Sequence, residues 1–314
     1  MFVEEVKSAL WTILLTRLTI LLLMTTRTSL RQHLLRGGRS YGPLLLGDSP
    51  IVAELLSLVG YDHLVIDHEH GPTDIRSGLA MLQAMDAAQA HFQHHHHDND
   101  SATTNRRRRT EAIVRVPAPH DAVYMKKVLD TLRLPAGVLV PMVDNADMAK
   151  QVIRSTRYPT GMDDGTASSS LNGNRGCAAP LVRGSGWGLA PNDYLQQTRD
   201  DLLVMIQVET PQAIQAVPEM AQIEGVDGIF IGPLDLSASV GKMGQFQDAD
   251  VQALIDQAEE AIRNSPAFLA GFRPPGRDLN EMFDAGYQFV CGSVDLALLR
   301  EAAKADWAAA QKHL

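Results

Sequence analysis

From Tyr41 onward, short apolar runs alternate with longer stretches that carry helix signals. The runs are Pro43–Leu46, His63–Asp67, Ala112–Val116, Val138–Val143, Leu202–Val208, Gly228–Gly232, Phe268–Phe272 and Gln288–Gly292. They are nearly continuous in hydrophobicity rather than alternating, as a parallel sheet covered on both faces requires. Ser49-Pro50 and Thr210-Pro211 each place a capping residue before a proline at the first helical position, and Gly60, Gly225 and Gly286 stop helices just ahead of the next strand. Eight strand–helix repeats predict a (β/α)8 barrel, an α/β fold of TIM type, with a doubly wound open sheet as the second choice.

Two stretches break the rhythm. Residues 87–110 contain His94 to His97, Asp98-Asn99-Asp100 and Arg106 to Arg109, and residues 161–173 are rich in Ser, Gly, Asn and Asp. Neither has an apolar period, so both read as surface insertions. Imidazole binds zinc and copper, but four consecutive His in such a loop lack a preorganised ligand shell, and a solvated loop is the better reading.

The N-terminus stands apart. Ala9 to Met24 is apolar, but its 16 residues include Arg17, and a membrane span needs about 20. Glu4 and Glu5 precede it where a secretory signal carries positive charge. From Met24 to Gly47 there is no acid, while Arg27, Arg31, Arg36 and Arg39 lie among Ser, Thr and Leu, a composition similar to an organellar presequence. The expected organisation is an extension over residues 1–40 and a barrel over 41–314, in the cytoplasm or, if the presequence acts, in mitochondria.

Composition narrows the function. The chain has 314 residues, is 45% hydrophobic and carries net charge −9, which disfavours a nucleic-acid partner and leaves a small-molecule ligand. Only Cys177 and Cys291 are present, too few for a disulfide framework or a Cys-based zinc site.

Barrel active sites lie at the C-terminal strand ends. There the second run ends in Asp67-His68-Glu69-His70, the third carries Arg115, the fifth ends in Gln207-Val208-Glu209, and the sixth leads into Gly232-Pro233-Leu234-Asp235. Acids, a histidine and an arginine on neighbouring strands point to one site. Glu209 and Asp235 offer oxygen ligands suited to Mg2+ or Mn2+, with Co2+ a further candidate, and leave room for a chelating 2-oxo acid. All seven lysines fall in helix-like segments, the N-terminal tail or a Gly-rich turn, so a Schiff-base lysine at a strand end is not available and a metal must supply the electrophile.

Over residues 41 to 305, insertions apart, the chain resembles the HpcH/HpaI aldolase family of class II pyruvate aldolases. The resemblance rests on Gly60-Tyr61-Asp62 through Asp67 and Glu69-His70-Gly71-Pro72, on Val114-Arg115, on Val140-Pro141-Met142-Val143, on Gln207-Val208-Glu209-Thr210, and on Gly225-Val226-Asp227-Gly228 leading to Gly232-Pro233-Leu234-Asp235-Leu236-Ser237. It implies a divalent metal on Glu209 and Asp235, His70 as acid/base, and Arg115 stabilising the enolate. It also implies that Asp130 tunes the histidine, that Gln207 and the backbone near Leu234 contact the oxo acid, and that the protein is a homo-oligomer, a trimer or hexamer. Asp67 orients the catalytic groups or is a buried structural carboxylate.

The implied reaction is reversible cleavage of a 4-hydroxy-2-oxo acid into pyruvate, or a close analogue, and an aldehyde. Three features depart from the family pattern: His68 replaces a small or apolar residue, the Arg175–Trp187 loop carries Cys177 and Pro180, and Phe272-Arg273-Pro274-Pro275 follows the seventh run. All three are expected around the aldehyde-facing rim, with His68 altering the electrostatics of His70. A citryl- or malyl-CoA lyase is the enzymatic alternative. A non-catalytic metal-binding or interaction protein using the His and Arg runs is the other.

Overall fold

The computed structural model describes residues 28–95, 109–132, 135–159 and 172–312, with only the backbone described for 92–95. Eight parallel strands close in sequence order into a barrel among these residues: β1 Ser40–Leu45, β2 His63–Asp67, β3 Glu111–Arg115, β4 Gly137–Val140, β5 Leu203–Val208, β6 Gly228–Ile231, β7 Phe268–Phe272 and β8 Tyr287–Val294. The (β/α)8 expectation is met.

Each continuous apolar run is divided between two cores. Val65, Ile113, Leu139, Met205, Phe230, Ala270 and Phe289 fill the barrel, while Leu64, Ile66, Val114, Val138, Val140 and Ile206 face the helices. A strand alternates its side chains between faces, and here both faces are dry, so the strand interiors Leu64–Ile66, Ala112–Val114, Val138–Val140 and Leu203–Ile206 are apolar at every position.

The helix signals act as the sequence implies. Ser49 Oγ accepts from Val52 N at 3.3 Å, and Thr210 Oγ1 from Ala213 N at 3.0 Å, each with Pro in the first turn. Gly60 ends helix Pro50–Val59 at φ 99°, a conformation that glycine adopts without Cβ strain.

Three boundaries differ from the sequence reading. Helix Leu30–Leu35 lies within the expected extension, yet Leu30 and Leu34 are buried in the inner core. Arg31 Nε donates to Asp227 Oδ1 at 2.9 Å and Gln32 Nε2 to Asp201 Oδ1 at 3.1 Å, fastening the helix to the floor of the barrel. The presequence reading over Met24 to Gly47 also takes in this helix and β1; residues 1–27 lie outside the described residues.

The first insertion is narrower than 87–110. Helix Ile75–His95 runs through its first part, with Ala88 and Gln89 buried, and Thr110 Oγ1 donates to Tyr61 O at 2.6 Å. His96, His97 and Arg106 to Arg108 lie outside the described residues, as does most of 161–173.

The fourth strand stops at Val140 rather than Val143. Pro141 has no N–H to give the ladder, and Met142 turns to φ 54° with its N–H directed at Glu209.

Candidate active site

Asp67, the last residue of β2, is fully buried and receives both Nε and Nη2 of Arg115, from the end of β3, at 2.8 and 2.7 Å. The remaining amino group, Nη1, lies 3.0 Å from Glu69 Oε2. The two-pronged contact fixes the guanidinium plane, and the carboxylates on either side keep it charged inside the barrel.

Glu69 stands between that cation and His70, whose Nε2 is 3.8 Å from its Oε2. Burial pushes the Glu69 carboxyl up to about 7 against the pull of Arg115 and His70, and the negative fields of Glu209 and Asp67 add to the rise. The His70 side chain is 56% exposed at the barrel mouth.

Glu209, at the end of β5, is 1% exposed. Its Oε1 accepts from Met142 N at 2.7 Å and its Oε2 from Gln207 Nε2 at 2.6 Å. Its carboxyl is raised, first by burial and then by the charge of Asp235, while the two hydrogen bonds and Arg115 act in the opposite direction. Gly232 adjoins it so closely that a Cβ there would lie 2.7 Å from Oε2. Asp235 sits exposed in the first turn of helix Pro233–Ser239, with half-exposed Leu234 before it.

Four carboxyl groups thus meet one arginine and one histidine at this mouth. The buried Glu209 carboxyl feels the negative charge of exposed Asp235, and these two oxygen donors fit one hard divalent ion between them. Among the described residues no group of three or more His, Cys, Asp or Glu converges to hold a metal. Two protein ligands would leave the rest of the coordination shell to water and substrate. Gln207 Oε1, buried without a hydrogen-bond partner, is a further polar atom facing an incomplete environment.

The structure brings Asp67, Arg115, His70, Gln207 and Glu209 to the C-terminal strand ends, with Leu234 and Asp235 in the turn that follows β6. Asp130 is elsewhere. It lies at the end of helix Ala122–Thr131, which runs back from the mouth, and it pairs with Arg175 rather than His70. The Arg175–Trp187 loop is likewise away from the expected rim of its own chain: Arg183 Nη1 donates to Thr131 O at 3.3 Å, at the end of that same helix.

His68 also turns away from the mouth. Its Nδ1 is 2.7 Å from Tyr124 Oη, its Nε2 packs against Gly78, and burial lowers its proton affinity. Glu69 was visible in the sequence cluster without an assigned role, and only the fold shows it wedged against Arg115. The backbone contribution of Met142 left no sequence signal beyond the preceding proline.

A closed parallel barrel thus gathers acids, an anchored arginine and a histidine at one mouth. The family model for HpcH/HpaI aldolase/citrate lyase matches residues 41–302, and the chain belongs to that family of carbon–carbon lyases. It is 37% identical over 275 residues to a 4-hydroxy-2-oxo-heptane-1,7-dioate aldolase of Escherichia coli, covering 86% of this chain and 90% of the relative. It is 35% identical over 277 residues to the aldolase of the same name from Klebsiella pneumoniae, covering 86% and 89%. Among solved structures, an HpcH/HpaI aldolase/citrate lyase family protein from Burkholderia cenocepacia superposes with TM-score 0.76 at 30% identity, covering 91% of this chain and 100% of that one.

Proposed function

We propose that the chain catalyses reversible aldol cleavage of a 4-hydroxy-2-oxo acid, giving pyruvate or a close analogue and an aldehyde, with Mg2+, Mn2+ or Co2+ on Glu209 and Asp235. The observation that carries this reading is the Glu209 carboxylate, buried, held by Met142 N and Gln207 Nε2, and repelled by Asp235 from the helix that follows β6. When bound, the cation supplies Lewis-acid polarisation of the oxo group.

The side chains divide the remaining work. Arg115, fixed by Asp67, places positive charge beside the oxygen that becomes negative as the C3–C4 bond breaks. His70, exposed at the mouth, takes the proton of the C4 hydroxyl during cleavage and returns it in the reverse direction. Gln207 holds Glu209 in place and, with the backbone at Leu234, borders the oxo-acid end. The Asp67 carboxylate has both oxygens on Arg115, which supports a positioning role.

Helix Asp295–Ala310 supports homo-oligomer formation, because it exposes Leu296, Leu299 and Trp307 along its length. No helix among the described residues is long and apolar enough to cross a membrane.

The test is a coupled pyruvate-release assay over a panel of 4-hydroxy-2-oxo acids, with and without chelator. Release that stops on chelation and returns with Mg2+ or Mn2+ is expected. Release that survives complete metal removal, or no release from any member, would overturn the proposal. Deleting residues 92 to 109 should leave release intact, whereas loss of a partner or of metal binding would favour the interaction reading.

A further inference from the structure

Aldol cleavage moves a proton from oxygen to carbon. The C4 hydroxyl gives up its proton as C4 becomes an aldehyde, and C3 must gain one before pyruvate leaves with its methyl group. Proton transfer is therefore needed at two atoms of the substrate, and His70 serves the hydroxyl.

Most other groups at the mouth are committed. Both oxygens of Asp67 accept from Arg115, and its Oδ1 also accepts from Glu69 N at 3.0 Å. Both oxygens of Glu209 accept hydrogen bonds, and with Asp235 it is placed to hold the cation. Arg115 stays charged between its carboxylates. Cys291 of β8 is sealed in the inner core, where burial holds its thiol protonated.

Glu69 is left. Its Oε2 lies 3.0 Å from Arg115 Nη1 and 3.8 Å from His70 Nε2, yet it makes no hydrogen bond among the described residues. A lone pair thus stays open on a side chain only 14% exposed. Arg115 stands beside the oxo oxygen, and C3 is two bonds from that oxygen. The carboxyl on the same guanidinium is therefore within reach of C3. Burial, which pushes it up to about 7, suits it to carry a proton near neutral pH.

We infer that Glu69 is the catalytic group that gives C3 its proton in cleavage and removes it in the reverse direction. In cleavage the C3–C4 electron pair moves between C2 and C3 to make the enolate, while the hydroxyl proton on C4 passes to His70. The C2 oxo group reforms as C3 takes the Glu69 carboxyl proton, leaving a carboxylate beside Arg115. The proton on His70 then restores Glu69, so none is gained or lost overall. This rests on the aldol-cleavage reading above and supplies the second half of its acid–base chemistry.

The test uses pyruvate without any aldehyde. Mg2+-loaded full-length protein is incubated with pyruvate in D2O, and proton NMR follows the loss of the methyl signal. Wild type and His70→Ala should exchange the methyl protons at similar rates. Glu69→Gln should exchange them ~100-fold more slowly or worse, while calorimetry shows Mg2+ and pyruvate binding close to wild type. Wild-type exchange rates in Glu69→Gln would overturn the assignment. So would an equal loss in His70→Ala, which would route the C3 proton through the histidine. A wild type that releases pyruvate from 4-hydroxy-2-oxo acids without ever exchanging its methyl protons would refute the role of Glu69 and leave the aldol reading intact. Neither release nor exchange would refute both.

Discussion

Gly232→Ala tests the cation cradle without touching a ligand. The backbone there has φ −96° and ψ 89°, which alanine tolerates, so the substitution acts through its added carbon. That carbon would sit 2.7 Å from Glu209 Oε2, 3.1 Å from Gln207 Nε2 and 3.3 Å from Glu209 Cβ. Ordinary carbon–oxygen contact begins several tenths of an ångström further out, so the carboxylate must retreat. It cannot retreat freely, because its oxygens are tied to Met142 N at 2.7 Å and to Gln207 Nε2 at 2.6 Å.

Disturbing the groups that orient a ligand lowers metal affinity roughly 10–100-fold. Overpacking costs about 1–3 kcal/mol, offset by roughly 0.4–1 kcal/mol from the stiffer unfolded chain. The metal-free protein should therefore melt within a few degrees of wild type. Calorimetric titration of Mn2+ into metal-free protein, paired with a thermal melt, reads both quantities. Mn2+ affinity within twofold of wild type in a correctly folded variant would refute the cradle argument.

Asp67→Ala leaves Arg115 buried without its main partner, at a cost of roughly 3–5 kcal/mol, so thermal melts should fall on the order of 10 °C. A fall under about 3 °C would show that the pair is not what holds the arginine. The Glu69 carboxyl, raised to about 7 from an ordinary 4.5, keeps its proton in the folded chain while the unfolded chain loses it. Stability contributed by this group therefore declines as pH rises from about 4.5 to 7, by roughly 1–2 kcal/mol after discounting for solvent screening. Glu69→Gln should gain on metal-free wild type across that window in urea titrations, and a pH-independent difference would contradict the assignment. Leu34→Ala, in the helix that seals the barrel floor, should cost about 2–5 kcal/mol, and a melt unchanged from wild type would show that the helix is dispensable.

The barrel was legible because both faces of the strands are buried, which writes the strand interiors as unbroken apolar words such as Leu203–Ile206. Strand ends that break into Asp, Glu, His or Arg then marked the mouth, since polar residues there have no core to satisfy. What the sequence could not carry was side-chain direction. His68 and Glu69 are adjacent and equally polar, yet one turns to Tyr124 and the other to Arg115.

Asp130 lies on a helix that leads away from the mouth, and its pairing with Arg175 depends on a loop 45 residues distant in sequence. The floor helix was missed for a related reason. Its Arg and Ser content read as an extension, although Arg31 is there to meet Asp227, 196 residues away.

The central claim is that Glu209 and Asp235 together bind a hard cation. Calorimetry of Mn2+ binding to metal-free wild type and to the Glu209→Gln, Asp235→Asn double variant tests it most directly, with no dependence on substrate. One site per chain in wild type and none measurable in the folded double variant is expected; the same Mn2+ affinity in both would contradict the claim.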